Sequence, residues 1–227
     1  MKNITIDLIA DTKQIKSRER VSTHGEVFTA DREVNAMLNL VKQETERIES
    51  RFLEPACGNG NFLVKILERK LAVVRGRYAK QYTDYELYAL IAVSSIYGID
   101  IQFDNVEECR ERLYNIFAKE YYSLFENSTK EEYLQSIRFV LSKNIIWGDA
   151  LTLNTPDGVN PIIFSEWSAI GEVIKRRDFT LNNLLQNQPI AEPNLFSDLG
   201  DKAFIPTPTR EYPLTHYLKL DSHAEEL

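Results

Sequence analysis

The sequence has few of the residues that build metal sites and disulfides. Its 227 residues include two cysteines, Cys57 and Cys109, and three histidines, all widely separated. None of their spacings is typical of a metal site, so we expect no bound metal. One cysteine lies in a glycine-rich turn and the other in a predicted helix. A structural disulfide is therefore not expected, which favours a reducing cytoplasm.

Long apolar runs and an excess of positive charge are also missing. No stretch approaches the roughly 20 apolar residues that cross a bilayer. The N-terminus lacks a signal-peptide pattern, so we expect a cytoplasmic protein with no membrane partner. Lysine and arginine number 27 against 34 acidic residues, a net charge of −7. This balance excludes a protein that coats nucleic acid by bulk charge, although a local basic groove stays open.

A glycine-rich turn is the most informative feature that the sequence does contain. Residues 52–63 read F-L-E-P-A-C-G-N-G-N-F-L, which is a short apolar run, an acid, a turn and the start of a helix. Parallel α/β sheets build nucleotide-type loops in this way, at the carboxyl end of the first strand. The spacing is neither G-x-G-x-x-G nor that of a P-loop. Glu54 would repel a pyrophosphate, but it suits a ligand that carries an amine or a sulfonium.

Helices and strands alternate along most of the chain. Helices are predicted at residues 61–74, 84–95, 104–124 and 131–141, and strands at 51–53, 96–100, 144–150 and 161–164. This order predicts an α/β fold with a doubly wound, mostly parallel sheet. Asp100 and Asp149 end the second and third strands, and the carboxyl ends of adjacent strands converge on one crevice. Asp100 can accept hydrogen bonds from ribose hydroxyls, and Asp149 can accept one from the exocyclic amine of adenine.

These motifs resemble those of the amino-methylating DNA methyltransferases, which use S-adenosylmethionine (SAM). Residues 54–60 match the family's D/E-P-A-C-G-x-G loop at every position. Residues 99–101 and 147–151 match its acid after strand two and its G-D-A after strand three. Upstream, residues 24–29 resemble its G-x-[FY]-[FY]-T-P segment, with Ala30 in place of the proline. From the residues alone, the alternative is a generic strand–turn–helix.

The resemblance implies a Rossmann-like, SAM-binding sheet over about residues 20–152, with the gamma motif order of adenine-N6 enzymes. It implies a modification subunit of a restriction-modification system, with SAM as cofactor and DNA as partner. The positions that it assigns to the cofactor are Phe28, Thr29, Glu54, Pro55, Ala56, Cys57, Gly58, Gly60, Asp100, Ile101, Asp149 and Ala150.

The family's catalytic motif, [D/N/S]-P-P-[Y/F/W], is not found in the chain. After the apolar run at 162–164, Ser165 and Trp167 offer a polar and an aromatic side chain, and we predict these two as catalytic residues. Asn160-Pro161 is a second candidate, although it precedes an apolar run. The alternative for Trp167 is a buried or partner-facing aromatic.

The three hypotheses for function are a DNA adenine-N6 methyltransferase, a non-catalytic SAM-binding subunit that pairs with another chain, and a small-molecule or protein methyltransferase.

We predict three regions along the chain. They are an N-terminal extension at 1–20, a SAM-binding domain at 21–187 and a proline-rich, extended tail at 188–227. A helix predicted at 175–186 begins with the basic cluster Lys175-Arg176-Arg177, which can contact phosphates or form a solvated surface. Apolar pieces at 204–205 and 217–220 can each add an edge strand, and the sequence leaves open whether the sheet ends after its fourth strand.

Overall fold

The computed structural model describes residues 15–126, 128–185 and 206–223, and the fold is α/β. Its helices are α1 (Arg18–His24), α2 (Asp31–Leu40), α3 (Lys42–Thr45), α4 (Asn61–Tyr78), α5 (Tyr82–Ser94), α6 (Phe103–Phe125), α7 (Glu131–Asn144) and α8 (Leu181–Leu185). Its strands are β1 (Phe52–Glu54), β2 (Ile96–Asp100), β3 (Ile145–Trp147), β4 (Ile163–Ile170), β5 (Val173–Thr180), β6 (Arg210–Glu211) and β7 (Thr215–His216).

The central sheet has three parallel strands in the order β1–β2–β3. Phe52 lies opposite Ile96, and Gly98 lies opposite Ile145. Helices α4 and α5 connect β1 to β2, and α6 and α7 connect β2 to β3. The predicted alternation of strands and helices up to β3 is therefore confirmed.

Helices α4 to α7 pack on one another and contribute most of the main apolar core beside the sheet. Leu67 on α4, Leu113 on α6 and Ile137 on α7 are fully buried there. At Gly98, in the middle of β2, a Cβ would lie 2.8 Å from Leu63 Cδ1. Glycine at this position therefore allows α4 to pack directly on the backbone of the strand.

After β3 the chain departs from a doubly wound sheet. β4 and β5 pair antiparallel over their full lengths, from Ile163 opposite Thr180 to Ile170 opposite Val173. Gly171, with a φ of 59°, begins the turn between them. The predicted fourth strand exists, but it belongs to this second sheet, to which β6 and β7 also pair through β5.

Two predictions about the last third of the chain are wrong. The helix predicted at 175–186 is a strand over residues 175–180, where buried and partly exposed side chains alternate, and only Leu181–Leu185 is helical. The edge strand predicted at 217–220 is a turn that leads into a 3-10 helix at Leu220–His223. The pair at 204–205 lies outside the described residues.

A buried carboxylate fastens the described part of the tail to the core. Glu86 on α5 is fully buried and accepts hydrogen bonds from Tyr121 Oη at 2.6 Å and Tyr217 Oη at 2.6 Å. Lys130 Nζ lies 2.8 Å from its second oxygen. A buried charge needs such partners to offset its desolvation, so this cluster holds α5, α6 and the tail together.

We expect Tyr217→Phe to lower the free energy of unfolding by about 1.5–3 kcal/mol, because the Glu86 carboxylate loses one buried hydrogen bond. Urea denaturation checks this, and Tyr122→Phe on the exposed side of α6 is the matched control. Equal stability of the two variants would contradict the role of the cluster.

Candidate cofactor-binding site

The loop between β1 and α4 needs glycine at two positions. Gly58 has a φ of 52° and Gly60 a φ of 88°, which are backbone angles that other residues rarely adopt. A Cβ at Gly60 would lie 2.6 Å from Cys109 Sγ, which is buried on α6. The loop backbone is fixed to the sheet by Cys57 N, which donates to Ile99 O at 2.8 Å.

Asp100, at the end of β2, organises this loop. Its Oδ2 accepts from Gly58 N at 2.8 Å, and its Oδ1 accepts from Gln102 N at 2.8 Å and Asn105 Nδ2 at 3.2 Å. An ionised carboxylate has about four acceptor sites, so Oδ2 can accept one further hydrogen bond. The prediction that Asp100 can bind ribose hydroxyls leaves out this second task, which is to hold the glycine loop against β2.

Two other carboxylates lie at the same edge of the sheet. Glu54 Oε1 accepts from Ala56 N at 3.4 Å, and burial raises the pKa of Glu54. Asp149 Oδ1 accepts from Leu151 N at 2.9 Å, and Gly148 N donates to Asp100 O at 3.0 Å, which places Asp149 beside the end of β2. Within the described residues, Glu54 Oε2 and Asp149 Oδ2 have no hydrogen-bond partner. Both can therefore accept from a ligand.

The segment before α2 packs on the glycine loop. A Cβ at Gly58 would lie 2.9 Å from Cε1 of the buried Phe28 ring. Asn61 Nδ2, at the start of α4, donates to Thr29 O at 2.9 Å. The structure thus brings the upstream segment and the glycine loop together, although 30 residues of chain separate them.

Apolar side chains border the carboxylates on the solvent side. Ile101 is 48% exposed and Trp147 is 44% exposed, and Trp147 Nε1 donates to Ile101 O at 3.0 Å. The rings of Trp147 and Phe103 meet edge to face at 5.4 Å. Ala150 is partly buried in the small cluster that contains Ile99. These side chains provide an apolar surface beside Asp149, which suits a flat ring that also carries a hydrogen-bond donor.

The remaining loop positions in the prediction differ in accessibility. Pro55 and Ala56 are exposed, whereas Cys57 is buried. A Cβ at Gly98 would lie 3.0 Å from Cys57 Sγ, so the thiol packs between the loop and β2 rather than toward solvent. The neighbouring Cys109 thiol and burial both raise the pKa of Cys57. Cys57 therefore supports the loop through packing and its backbone.

Sequence reasoning missed the polar network that joins the N-terminal segment to Asp100. Asn105 Nδ2 donates to Glu26 Oε1 at 2.5 Å as well as to Asp100. Arg20 Nη1 donates to Asp104 Oδ2 at 2.6 Å. This hydrogen bond and, to a smaller extent, the one that Lys16 Nζ donates to the same oxygen lower the pKa of Asp104 to about 2. The available signal was the pair of acids at 104 and 108, four residues apart on one helix face opposite basic residues near the N-terminus.

The predicted catalytic residues lie elsewhere. Ser165 is 2% exposed in the middle of β4, where its Oγ donates to Asp178 Oδ1 at 2.7 Å and accepts from Arg176 Nε at 3.0 Å. The prediction that it follows the end of a strand is wrong. The buried Arg176–Asp178 ion pair at 2.9 Å fixes the Ser165 hydroxyl, and it also withdraws Arg176 from the predicted basic cluster.

Trp167 is held at the amino ends of the parallel strands. Its Nε1 donates to Asn144 Oδ1 at 2.9 Å, and Asn144 Nδ2 donates to Ile96 O, on the first residue of β2, at 3.1 Å. The glycine loop lies at the opposite, carboxyl edge of the sheet. Trp167 is therefore separated from the site by the length of the strands, and Ser165 is held within the second sheet by Asp178 and Arg176. Pro161, of the second candidate pair, forms a bridge with Asn154, which in turn bridges Asp149 on the carboxyl side.

Comparisons of the chain with protein-family models, with curated proteins and with solved structures find no match. The residues and geometry of the chain therefore carry the functional interpretation.

Across residues 15–126, 128–185 and 206–223, no three His, Cys, Asp or Glu side chains are grouped as metal ligands. No helix in those ranges is long and apolar enough to span a membrane.

We expect Gly60→Ala to lower the free energy of unfolding by about 2–5 kcal/mol, because the methyl group adds a clash with Cys109 to the cost of a left-handed backbone. Gly171→Ala is the matched control, since Gly171 also has positive φ but has no atom within 4 Å of a Cβ. It should cost only about 1–2 kcal/mol. Equal costs in urea denaturation would contradict the close packing of loop and α6.

Proposed function

We propose that this chain binds SAM at the carboxyl edge of β1–β3 and serves as the cofactor-binding component of a DNA adenine-N6 methyltransferase in a restriction-modification system. One observation carries the proposal: Asp100 holds the glycine loop against β2, with the free carboxylate oxygens of Glu54 and Asp149 at the same edge. A cationic ligand with an adenosine group has donors for all three acids.

The residues present fit SAM, and each has a distinct task. Glu54 would accept from the ammonium group, Asp100 from a ribose hydroxyl and Asp149 from the adenine amine. Ile101 and Ala150 would contact the faces of the adenine ring. When bound, SAM supplies an electrophilic methyl group to an attacking amine, so no covalent enzyme intermediate is needed.

The upstream segment and the first turn of α4 complete the assignment. Phe28 and Thr29 would lie at the methionine end of the ligand, since both contact the glycine loop. Helix α4 begins at Asn61, and its N-cap residue, Gly60, provides no side-chain cap. Its first N–H groups are therefore suited to a carboxylate. The sheet order β1–β2–β3 is consistent with the first half of a Rossmann-like, SAM-type sheet.

The geometry favours a subunit that does not supply its own catalytic residues. Ser165 bonds to Asp178 inside the second sheet, and Trp167 bonds to Asn144 at the amino ends of the parallel strands. We therefore propose that a second polypeptide contributes the groups that bind the target amine. DNA would be engaged through that complex in the cytoplasm, which agrees with the net charge of −7.

We expect calorimetry to show SAM binding that weakens about 10- to 100-fold in Glu54→Gln, the effect of losing a hydrogen bond to a charged group. Burial raises the pKa of Glu54, so its proton must leave before it can pair with an ammonium. Affinity should therefore rise with pH through that raised pKa in the native chain but not in the variant. Absence of heat with folded protein would contradict SAM binding.

The isolated chain should transfer no tritiated methyl group from SAM to unmethylated DNA. The variant Trp167→Ala should bind SAM with unchanged affinity, because it removes only a structural hydrogen bond to Asn144. Methyl transfer by the chain alone that Trp167→Ala abolishes would show instead that this chain is catalytic.

A further inference from the structure

Strand β1 is paired on one side only within the described residues. Its partner is β2, and Phe52 N donates to Ser95 O at 3.0 Å. Successive residues of a parallel strand direct their N–H and C=O groups to opposite sides. Phe52 and Glu54 therefore face β2, while the N–H and C=O of Leu53 face the free edge, where no described residue bonds to them.

The later strands of the chain pair with one another in the second sheet. β4 and β5 pair with each other along all of their residues, and β6 and β7 pair with β5. None of these strands adds to β1. In a doubly wound sheet the binding crevice lies where strands continue on both sides of the first strand, and among the described residues a strand lies on only one side of β1.

An apolar groove adjoins this free edge. It has a volume of about 400 Å³, and its apolar lining includes Leu53, Tyr97, Phe164, Phe179, Leu184 and Leu185. Leu53 is 44% exposed, although it lies in the middle of a strand. An edge that combines free backbone groups with an apolar groove matches an extended segment that carries alternate apolar side chains.

Positive charge at one end of the groove favours one orientation of an incoming segment. Arg51, which precedes β1, and Arg177 both bond to the single carboxylate of Glu166. Two guanidinium groups against one carboxylate leave a surplus positive charge, and the Arg51 side chain is 60% exposed. An acidic residue on an incoming segment would be stabilised there, at the amino end of β1.

We propose that a second polypeptide adds a parallel β-strand to β1 at Leu53, with apolar side chains in the groove and an acidic residue near Arg51. The parallel direction rests on the proposed function, because only that direction brings the carboxyl end of the added strand to the edge that holds Glu54. The partner's residues that bind the target amine would follow its strand at that point.

Hydrogen exchange of the free chain tests the edge first. The Leu53 amide should exchange at least tenfold faster than the Glu54 amide, which bonds within the sheet. Similar protection of both amides would mean that the edge is already paired and would overturn the proposal. Light scattering that shows a dimer lost in Leu53→Pro would overturn it too, since a second copy of this chain would then occupy β1.

A fluorescein-labelled peptide tests strand addition directly. The probe has an acidic first residue, four alternating valine and threonine residues and a final Asn-Pro-Pro-Tyr. Its fluorescence anisotropy should show binding, and binding should slow exchange of the Leu53 amide. Leu53→Pro removes the outward N–H but leaves the bonds to β2, so it should weaken binding at least tenfold, whereas Leu53→Val should change it less than twofold.

A second pair of variants covers failure of the proline variant to fold. Leu184→Glu places a charge in the groove and should weaken peptide binding, whereas Leu40→Glu, on the exposed face of α2, should not. No peptide binding, or binding that is indifferent to Leu53→Pro and Leu184→Glu, would overturn the proposal. Calorimetry with SAM on the same variants separates the two claims: peptide binding without SAM binding would contradict only the proposed function.

Discussion

The hydrogen bond from Gly58 N to Asp100 Oδ2 joins the parts of the chain on which the candidate site depends. Asp100 is the last residue of β2, and its Oδ1 accepts hydrogen bonds from Gln102 N and Asn105 Nδ2 at the start of α6. Asn105 Nδ2 also donates to Glu26 near the N-terminus. One buried carboxylate thus sets the relative positions of the glycine loop, the start of a helix and an upstream segment. A ligand at this edge would meet groups that are already oriented.

The two ends of the central sheet have different tasks. At the carboxyl edge, Glu54 and Asp149 each keep one carboxylate oxygen that no described residue bonds to. At the amino ends, Asn144 and Trp167 bond to each other, and the buried Arg176–Asp178 pair fixes the second sheet. These polar groups already bond to one another within the protein. This contrast explains why cofactor binding and catalysis can be separated in the proposal.

The first half of the fold could be predicted from the sequence because its signals are local. Gly58 and Gly60 mark a turn that needs positive φ, and acids at the strand ends identify the carboxyl edge. The antiparallel pairing of β4 with β5, from residues 163 and 180 inward, could not be predicted in the same way, because no comparable local motif marks these two segments as partners. The charges of Lys175, Arg176 and Arg177 suggested an exposed helix surface, whereas Arg176 is buried in an ion pair with Asp178 and all three belong to a strand.

A crystal structure of the chain with S-adenosylhomocysteine is the decisive test of SAM binding at the carboxyl edge of β1–β3. We expect the ligand to lie against Gly58, with its ribose at Asp100, its adenine amine at Asp149 and its amino group at Glu54. A ligand bound in the groove beside Leu53, or one that contacts none of the three carboxylates, would contradict it.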